Sequence, residues 1–178
     1  MARDYKPKRY SYLDDYSQNA AGEYVYTGTY YTWPEGRTRI LRNLWIWTAV
    51  ETAASVICGF MPKAGMEKAF YVLLPYTLSL MFVGFQVWAA ANLTGGGTGR
   101  ITRHTYETTV KRLPVWEILS FAGSAAAAVA EVCYMVFGEF EGEIPFGIVL
   151  TVLQVLVAFS AWMARKTVTA SKFTEEKR

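Results

Sequence analysis

The stretch from Leu113 to Phe137 reads LPVWEILSFAGSAAAAVAEVCYMVF, and it is long and apolar enough to cross a bilayer. It also carries two glutamates and a run of small residues, which is unusual for a helix surrounded by lipid. Steps of three and four residues place one stripe along this helix, made of Glu117, Ser120, Ser124, Ala128 and Glu131 with Gly123 and Ala127 beside it. Because hydrocarbon satisfies no polar group, we expect the stripe to face protein or water. The stretch is therefore predicted to be the central helix of a small membrane bundle.

Three further apolar runs accompany it. The four predicted spans cover about 40–61, 69–93, 115–137 and 144–164, each near the roughly 20 residues that a spanning helix needs. They predict an all-α integral membrane protein, in which residues 33–170 form an antiparallel four-helix transmembrane bundle. A tyrosine-rich tail (1–32) precedes the bundle and a short C-terminal tail (171–178) follows it. Four spans in 178 residues leave no room for a soluble domain of ordinary size.

The placement of charge predicts the orientation. Sixteen of the eighteen lysines and arginines lie before the first span, between the second and third, or after the fourth, and only Lys63 and Lys68 lie elsewhere. Basic residues are enriched on the cytoplasmic side of membrane proteins, so both termini are expected in the cytoplasm of a multi-pass protein of the cell membrane. The net charge of +3 is too small to indicate nucleic acid, and the lipid bilayer is the partner that the composition implies.

The segments outside the spans carry weaker signals. The pattern EYVYTGTYY from Glu23 to Tyr31 predicts a small hairpin around Thr27-Gly28, whereas the residues before it are expected to be loosely ordered. The tail holds eight of the twelve tyrosines, for which aromatic packing at the membrane surface is favoured over a docking or phosphorylation role. Thr32 followed by Glu35 predicts the start of the first helix, and residues 102–112 predict a short surface helix.

The sequence gives little support for an enzyme. It contains no nucleophile, base and orienting group in a recognisable arrangement, and no cofactor fingerprint. His104 is the only histidine and has no ligand partners arranged for a metal. The glycine run before Arg100 lacks the preceding strand and the Gly-Lys-Ser/Thr ending of a phosphate loop. Cys58 and Cys133 are expected to be buried free thiols, with a disulfide as the less favoured alternative.

Five polar side chains inside the predicted spans form the candidate intramembrane site: Glu51, Glu131, Gln154, Gln86 and Ser79. Counting about 1.5 Å per residue from the midpoint of each span places Glu51 and Gln154 near the midplane, with Ser79 close to that level. Glu131 then lies roughly 8 Å toward the outside and Gln86 a similar distance toward the cytoplasm. A polar path through the bundle is therefore predicted.

Two functions are compatible with this pattern. The first is a non-catalytic subunit or scaffold that binds another membrane protein or a second copy of itself. The alternative is a small proton-linked transporter working through Glu51 and Glu131, because intramembrane carboxylates commonly mark ion or proton pathways. The competing structural interpretation has a protonated Glu51 that donates a hydrogen bond to Gln154 or Ser79 and holds helices together. Glu117, close to its helix start, is expected to be held by the helix dipole and headgroup water.

The arrangement of four predicted helices with a glutamate, Glu51, in the first one resembles that of the small multidrug-resistance transporters. Those transporters have four helices and an essential glutamate in the first helix. The likeness covers only the helix count and Glu51. No motif matches, and the long N-terminal tail and cytoplasmic linker depart from that family, so no residue role is carried over from it.

Overall fold

The computed structural model describes residues 15–34, 36–61, 65, 68–95, 99–138 and 143–176. Four long helices dominate it: α1 (Arg37–Gly59), α2 (Phe70–Gly95), α4 (Leu113–Phe137) and α5 (Ile144–Thr169). The short elements are β1 (Tyr16–Gln18), β2 (Tyr24–Tyr26), β3 (Tyr30–Thr32), β4 (Arg100–Thr102), α3 (Arg103–Thr105), a π-helical turn (Tyr106–Val110) and β5 (Thr174–Glu176).

Each long helix packs against two others. α1 and α4 both lie against α2 and α5, so α1 and α4 occupy diagonal positions. Their directions follow from a three-stranded antiparallel sheet in which β3 pairs with both β4 and β5. These strands gather the start of α1, the end of α2, the start of α4 and the end of α5 at one end of the molecule, called the sheet end below. Neighbouring helices are therefore antiparallel, as the loop lengths require.

Within the described residues, three helical segments are long and apolar enough to cross a membrane: Phe70–Gly95, Arg103–Phe137 and Ile144–Thr169. They indicate a membrane location. α1 has the length but a lower mean hydropathy, because it carries Glu51, Asn43 and three arginines among its residues.

The prediction of a hairpin around Thr27-Gly28 is wrong, because β2 and β3 do not pair with each other. β2 pairs antiparallel with β1, which precedes it in the chain, and Tyr16 lies opposite Tyr26. β3 pairs with β4 and β5 instead of with β2. The turn between β1 and β2 is instead stabilised by Asn19, whose side-chain oxygen accepts from the backbone of Ala21 and Glu23. Local strand propensity located β2 and β3 only, and β1 lies in the segment that was expected to be loosely ordered. The partners of β3 were missed because they lie far away in sequence.

The sheet end is closed by aromatic side chains. Tyr31 stacks on Tyr106 with ring centroids 3.9 Å apart, and Phe173 contacts Trp33 and Tyr106 at 5.0 and 5.5 Å. Buried Ile101 from β4 adds to the same cluster. The tail, the segment before α4 and the C-terminal segment thus share one small core, which makes the short strands stable where an isolated hairpin is marginal.

Two helix starts differ from the sequence-based expectation. α1 begins after Gly36, which has a φ of +87° and makes no side-chain cap, whereas Thr32 belongs to β3. The predicted surface helix over 102–112 is α3 and the π-helical turn, which lead into α4 and bury Thr109 and Val110. The helix start at Pro114 is confirmed within one residue.

α2 and α4 approach closely where α2 contains Pro75. A Cβ built on Gly123 would stand 3.1 Å from the Pro75 carbonyl oxygen and 3.1 Å from the Ser79 Cβ. Glycine at this position lets the two backbones meet, in the manner of small-residue helix interfaces in membranes. Several expectations lie outside the described residues: those for residues 1–14, Glu35, 62–64, 96–98 and 139–142.

Candidate functional site

The stripe predicted on α4 is turned inward. Glu117, Ser120, Ser124 and Glu131 are each at most 1% exposed, and Ala128 is also buried. On α1, the buried side chains include Leu44, Thr48, Glu51, Ser55 and Cys58, which recur at steps of three and four residues. Polar side chains from α1, α2 and α4 therefore share the centre of the helix packing.

Glu51 on α1 is hydrogen-bonded to both α2 and α4. Its Oε1 accepts a hydrogen bond of 2.6 Å from the Ser120 hydroxyl on α4 and one of 3.2 Å from the Gln86 amide on α2. Because α1 and α4 are diagonal, the bond to Ser120 crosses the core. A single carboxyl oxygen thus links three helices.

The hydrogen-bonded chain continues through serines. The Ser79 hydroxyl on α2 lies 3.4 Å from the Ser120 hydroxyl and 2.6 Å from that of Ser124. It also lies 3.3 Å from the Ser120 carbonyl oxygen, to which it can donate. All three serines are buried, so Glu51 is connected to Ser124 by hydroxyl groups alone.

Glu131 lies two helical turns further along α4, about 10 Å from the level of Ser124. Its Oε1 accepts a 3.0 Å hydrogen bond from the backbone N–H of Gly65, which sits in the α1–α2 connection. Ala127 and Ala128 occupy the interval between Ser124 and Glu131. The polar path is therefore continuous from Glu51 to Ser124 and interrupted before Glu131.

Gln154 and Ser79 are not the partners that the sequence suggested for Glu51. Gln154 on α5 interacts with Cys58, two turns beyond Glu51 along α1. Counting from span midpoints assumed that all helices are centred at one level, whereas the 2.8 Å bond from the Trp45 indole to Thr94 fixes another stagger between α1 and α2. That stagger brings Gln86, in place of Ser79, level with Glu51.

The environment of Glu117 differs from the expectation that the helix dipole and headgroup water would hold it. Although it lies near the start of α4, it is 1% exposed and interacts electrostatically with Glu51 and with Arg165 of α5. The turn with Thr109 and Val110 and the sheet-end core cover the start of the helix, so water does not reach it. Its place in the α4 stripe, whose other members were expected to face protein, was the feature of the sequence that indicated this burial.

Cys58 is a buried free thiol, as predicted, whereas the free thiol of Cys133 is exposed on the outer face of α4. No disulfide joins them. Within the described residues, no group of three His, Cys, Asp or Glu side chains is placed to hold a metal ion.

Several oxygens of the site have no hydrogen-bond partner within the described part of the chain: Glu51 Oε2, Gln86 Oε1, Glu117 Oε1 and Oε2, Glu131 Oε2 and Gln154 Oε1. A buried polar atom left without any partner is costly, so each of these atoms calls for an explanation, and bound water, an ion or a change of partners are the usual ones. We call the set of Glu117, Glu51, Gln86, Ser120, Ser79, Ser124 and Glu131 the polar seam.

Fold and site together define a class: a helical protein whose described residues include three helices able to cross a membrane, with a buried polar seam between the helices. Comparisons of the chain with protein-family models, with curated proteins and with solved structures found no match in any of the three.

Proposed function

We propose that this chain is a small proton-linked membrane transporter whose protons move along the polar seam. The observation that carries the proposal is the hydrogen-bonded chain from Glu51 through Ser120 and Ser79 to Ser124, with Glu117 and Glu131 beyond its two ends. The sequence alone favoured a non-catalytic subunit. The chain of hydroxyl groups favours the transporter, because structural contacts between helices require no such continuity.

The chemistry of the seam fits proton transfer. A serine hydroxyl both donates and accepts, so neighbouring hydroxyls pass a proton by exchanging these roles. A carboxyl group at each end supplies a site that binds and releases the proton. Intramembrane carboxyls with unpartnered oxygens are expensive, and their commonest use is a proton or substrate pathway.

The interval between Ser124 and Glu131 is the slow part of this path. Ala127 and Ala128 carry no group that exchanges a proton, and they fill the two turns that separate the serines from Glu131. Transfer across this interval is expected to limit the rate. Ala128 lies on the same stripe as Ser124 and Glu131, so it is the position at which an added hydroxyl shortens the gap.

The proposal places all four long helices across the membrane with both termini in the cytoplasm. α1 is the least apolar, but its Glu51 is bonded to α2 and α4, both of which are apolar enough to span. A helix locked to two spanning helices at mid-length is expected to cross with them. The basic residues clustered at the sheet end support the cytoplasmic assignment of that end.

The test is proton flux in liposomes that contain the purified protein and a pH-sensitive dye. We expect the wild type to dissipate an imposed pH gradient faster than empty liposomes. Glu51→Gln keeps an oxygen that accepts from Ser120 and Gln86 but releases no proton, so it should abolish this flux while the protein stays folded. A well-folded wild type without flux, or a Glu51→Gln variant with unchanged flux, contradicts the proposal.

A gain-of-function variant sharpens the test. Ala128→Ser adds a hydroxyl between Ser124 and Glu131 and should raise the flux. Ala126→Ser makes the same change on an exposed position of the same helix and should leave the flux unchanged. Equal effects of the two variants would contradict a path along the seam.

A second candidate function is the membrane subunit or scaffold. It is supported by the β1–β2 hairpin, which leaves Tyr24 76% exposed and Val25 and Tyr16 each 41% exposed beside the sheet end. Exposed aromatic and apolar side chains of this kind suit contact with another membrane protein or a second copy. If Tyr24→Ser removes a copurifying partner while the liposome assay shows no flux, this candidate replaces the transporter.

A further inference from the structure

A groove of about 720 Å³ lies on the outside of the helices, between α2 and the start of α4. Its walls are apolar: Met81, Phe85 and Trp88 from α2, and Trp116 from α4. The Trp116 ring lies 5.5 Å from Phe85 and 6.2 Å from Trp88, centroid to centroid. Gly84 forms part of the lining and leaves the groove open, because a Cβ built there meets no atom within 4 Å.

The groove ends in polar groups toward the sheet end. Arg112, the residue before α4, lines it together with Thr108. The side chain of Arg112 is exposed, and within the described residues no carboxylate forms an ion pair with it. The acidic neighbour Glu107 is already bound to Arg103 at 3.1 Å. A cation thus stands at one end of an aromatic groove.

This order of groups matches the chemistry of a phospholipid. A phosphate adjoins the acyl chains in the lipid, and here a guanidinium adjoins an aromatic wall on helices that are apolar enough to span. Arginine binds phosphate oxygens through paired N–H groups, and tryptophan prefers the level where headgroup meets hydrocarbon. Basic pockets between spanning helices bind anionic headgroups in this manner.

We infer that the groove of Arg112, Phe85, Trp88 and Trp116 is a binding site for an anionic phospholipid. The headgroup phosphate lies on Arg112 and an acyl chain lies along the aromatic wall. An anionic lipid is favoured over a zwitterionic one, because choline or ethanolamine brings its own cation next to Arg112. The volume is in the range of pockets that hold small organic ligands.

A second groove provides an internal comparison. It has a volume of about 530 Å³, and its lining of Trp45, Thr48, Ala53, Val56 and neighbouring α1 residues, with Val87 of α2, contains no charged side chain. Nothing in the lining of this groove favours one lipid headgroup over another. The proposed site is independent of proton transfer along the polar seam and requires only that α2 and α4 lie in the membrane.

The experiment is lipid titration of the full chain in detergent, read by native mass spectrometry. Phosphatidylglycerol and phosphatidylcholine with identical acyl chains are the probes. The wild type should bind phosphatidylglycerol more tightly, and Arg112→Ala should weaken that binding about fivefold, the effect of one basic residue on an anionic lipid, with little change for phosphatidylcholine. Arg42→Ala removes an exposed arginine from α1 and should change neither affinity.

Filling the groove is the complementary test. Gly84→Leu places a side chain into open space, so the protein should keep its thermal stability while losing the preference for phosphatidylglycerol. Ala53→Leu makes a similar addition in the uncharged groove and should keep that preference. If Gly84→Leu unfolds, the same mass spectra show it. The comparison of lipid binding between Arg112→Ala and the wild type then tests the proposed site.

Three results overturn the inference. Equal binding of the two lipids by the wild type removes the headgroup site. An Arg112→Ala effect no larger than that of Arg42→Ala shows that only overall charge matters. Displacement of phosphatidylglycerol by inorganic phosphate at millimolar concentration assigns Arg112 to a free anion in place of a lipid.

Discussion

Replacing Glu51 with leucine should destabilise the protein, and replacing it with glutamine should not. Glu51 Oε1 accepts two hydrogen bonds, from Ser120 at 2.6 Å and from Gln86 at 3.2 Å. Hydrogen bonds between helices in membrane proteins average about 0.6 kcal/mol, so losing both costs about 1.2 kcal/mol, and donors left unpaired in the core bring the expected loss to about 1–2 kcal/mol. Glutamine keeps the accepting oxygen and nearly the same shape, so its cost should be much smaller than that of leucine.

The assay is reversible unfolding in mixed micelles of detergent and sodium dodecyl sulfate, followed by circular dichroism. Ser120→Ala removes one of the two donors and serves as the matched partner in a double-mutant cycle with Glu51→Leu. Because the two side chains share a bond, the double variant should be less destabilised than the sum of the single variants.

Two results would refute this reasoning. Glu51→Leu as stable as the wild type would mean that the two hydrogen bonds contribute nothing. Strict additivity in the cycle would mean that Glu51 and Ser120 do not interact.

Gly123→Leu should cost about 1–3 kcal/mol in the same unfolding assay, because its Cβ would stand 3.1 Å from the Pro75 carbonyl oxygen, which cannot move aside. Phe173→Ala should speed amide hydrogen exchange in β3, since it removes the ring contact with Trp33 at the sheet end, and unchanged exchange would speak against the shared core. Burial raises the pKa of Tyr26 above its ordinary value near 10, with the Arg103 N–H acting in the opposite direction. The folded state therefore holds this proton more tightly, so its contribution to stability is complete below pH 10 and is lost as the pH rises through the folded pKa. Tyr26→Phe should flatten the alkaline loss of stability, and an unaltered pH profile would show that another group titrates.

The sequence was sufficient for the helices and for the inward face of α4. Glu117, Ser120, Ser124 and Glu131 recur with helical spacing, and the structure buries all four. A periodic pattern is local information, and in an apolar segment it determines which side chains avoid the lipid.

The partners of these side chains depend on how the helices are staggered, which no periodic pattern contains. Gln154 was expected beside Glu51 and lies beside Cys58, because the helices are not centred at one level. The pairing of β3 with β4 and β5 joins segments that are about 70 residues or more apart, so three-residue strands gave no sign of it. The burial of Glu117 followed from that missed core, since the covered sheet end shields the start of α4.

The central claim is that α1 crosses the membrane as the fourth helix and holds Glu51 in a seam inside the bilayer. Single cysteines at Tyr24, Phe60 and Phe137, which are 76%, 81% and 85% exposed, test it in a background with Cys58→Ala and Cys133→Ser. A membrane-impermeant maleimide should label the cysteine at residue 24 from one side of oriented vesicles and those at 60 and 137 from the other. Labelling of residues 24 and 60 from the same side would show that α1 does not cross, and would contradict the account.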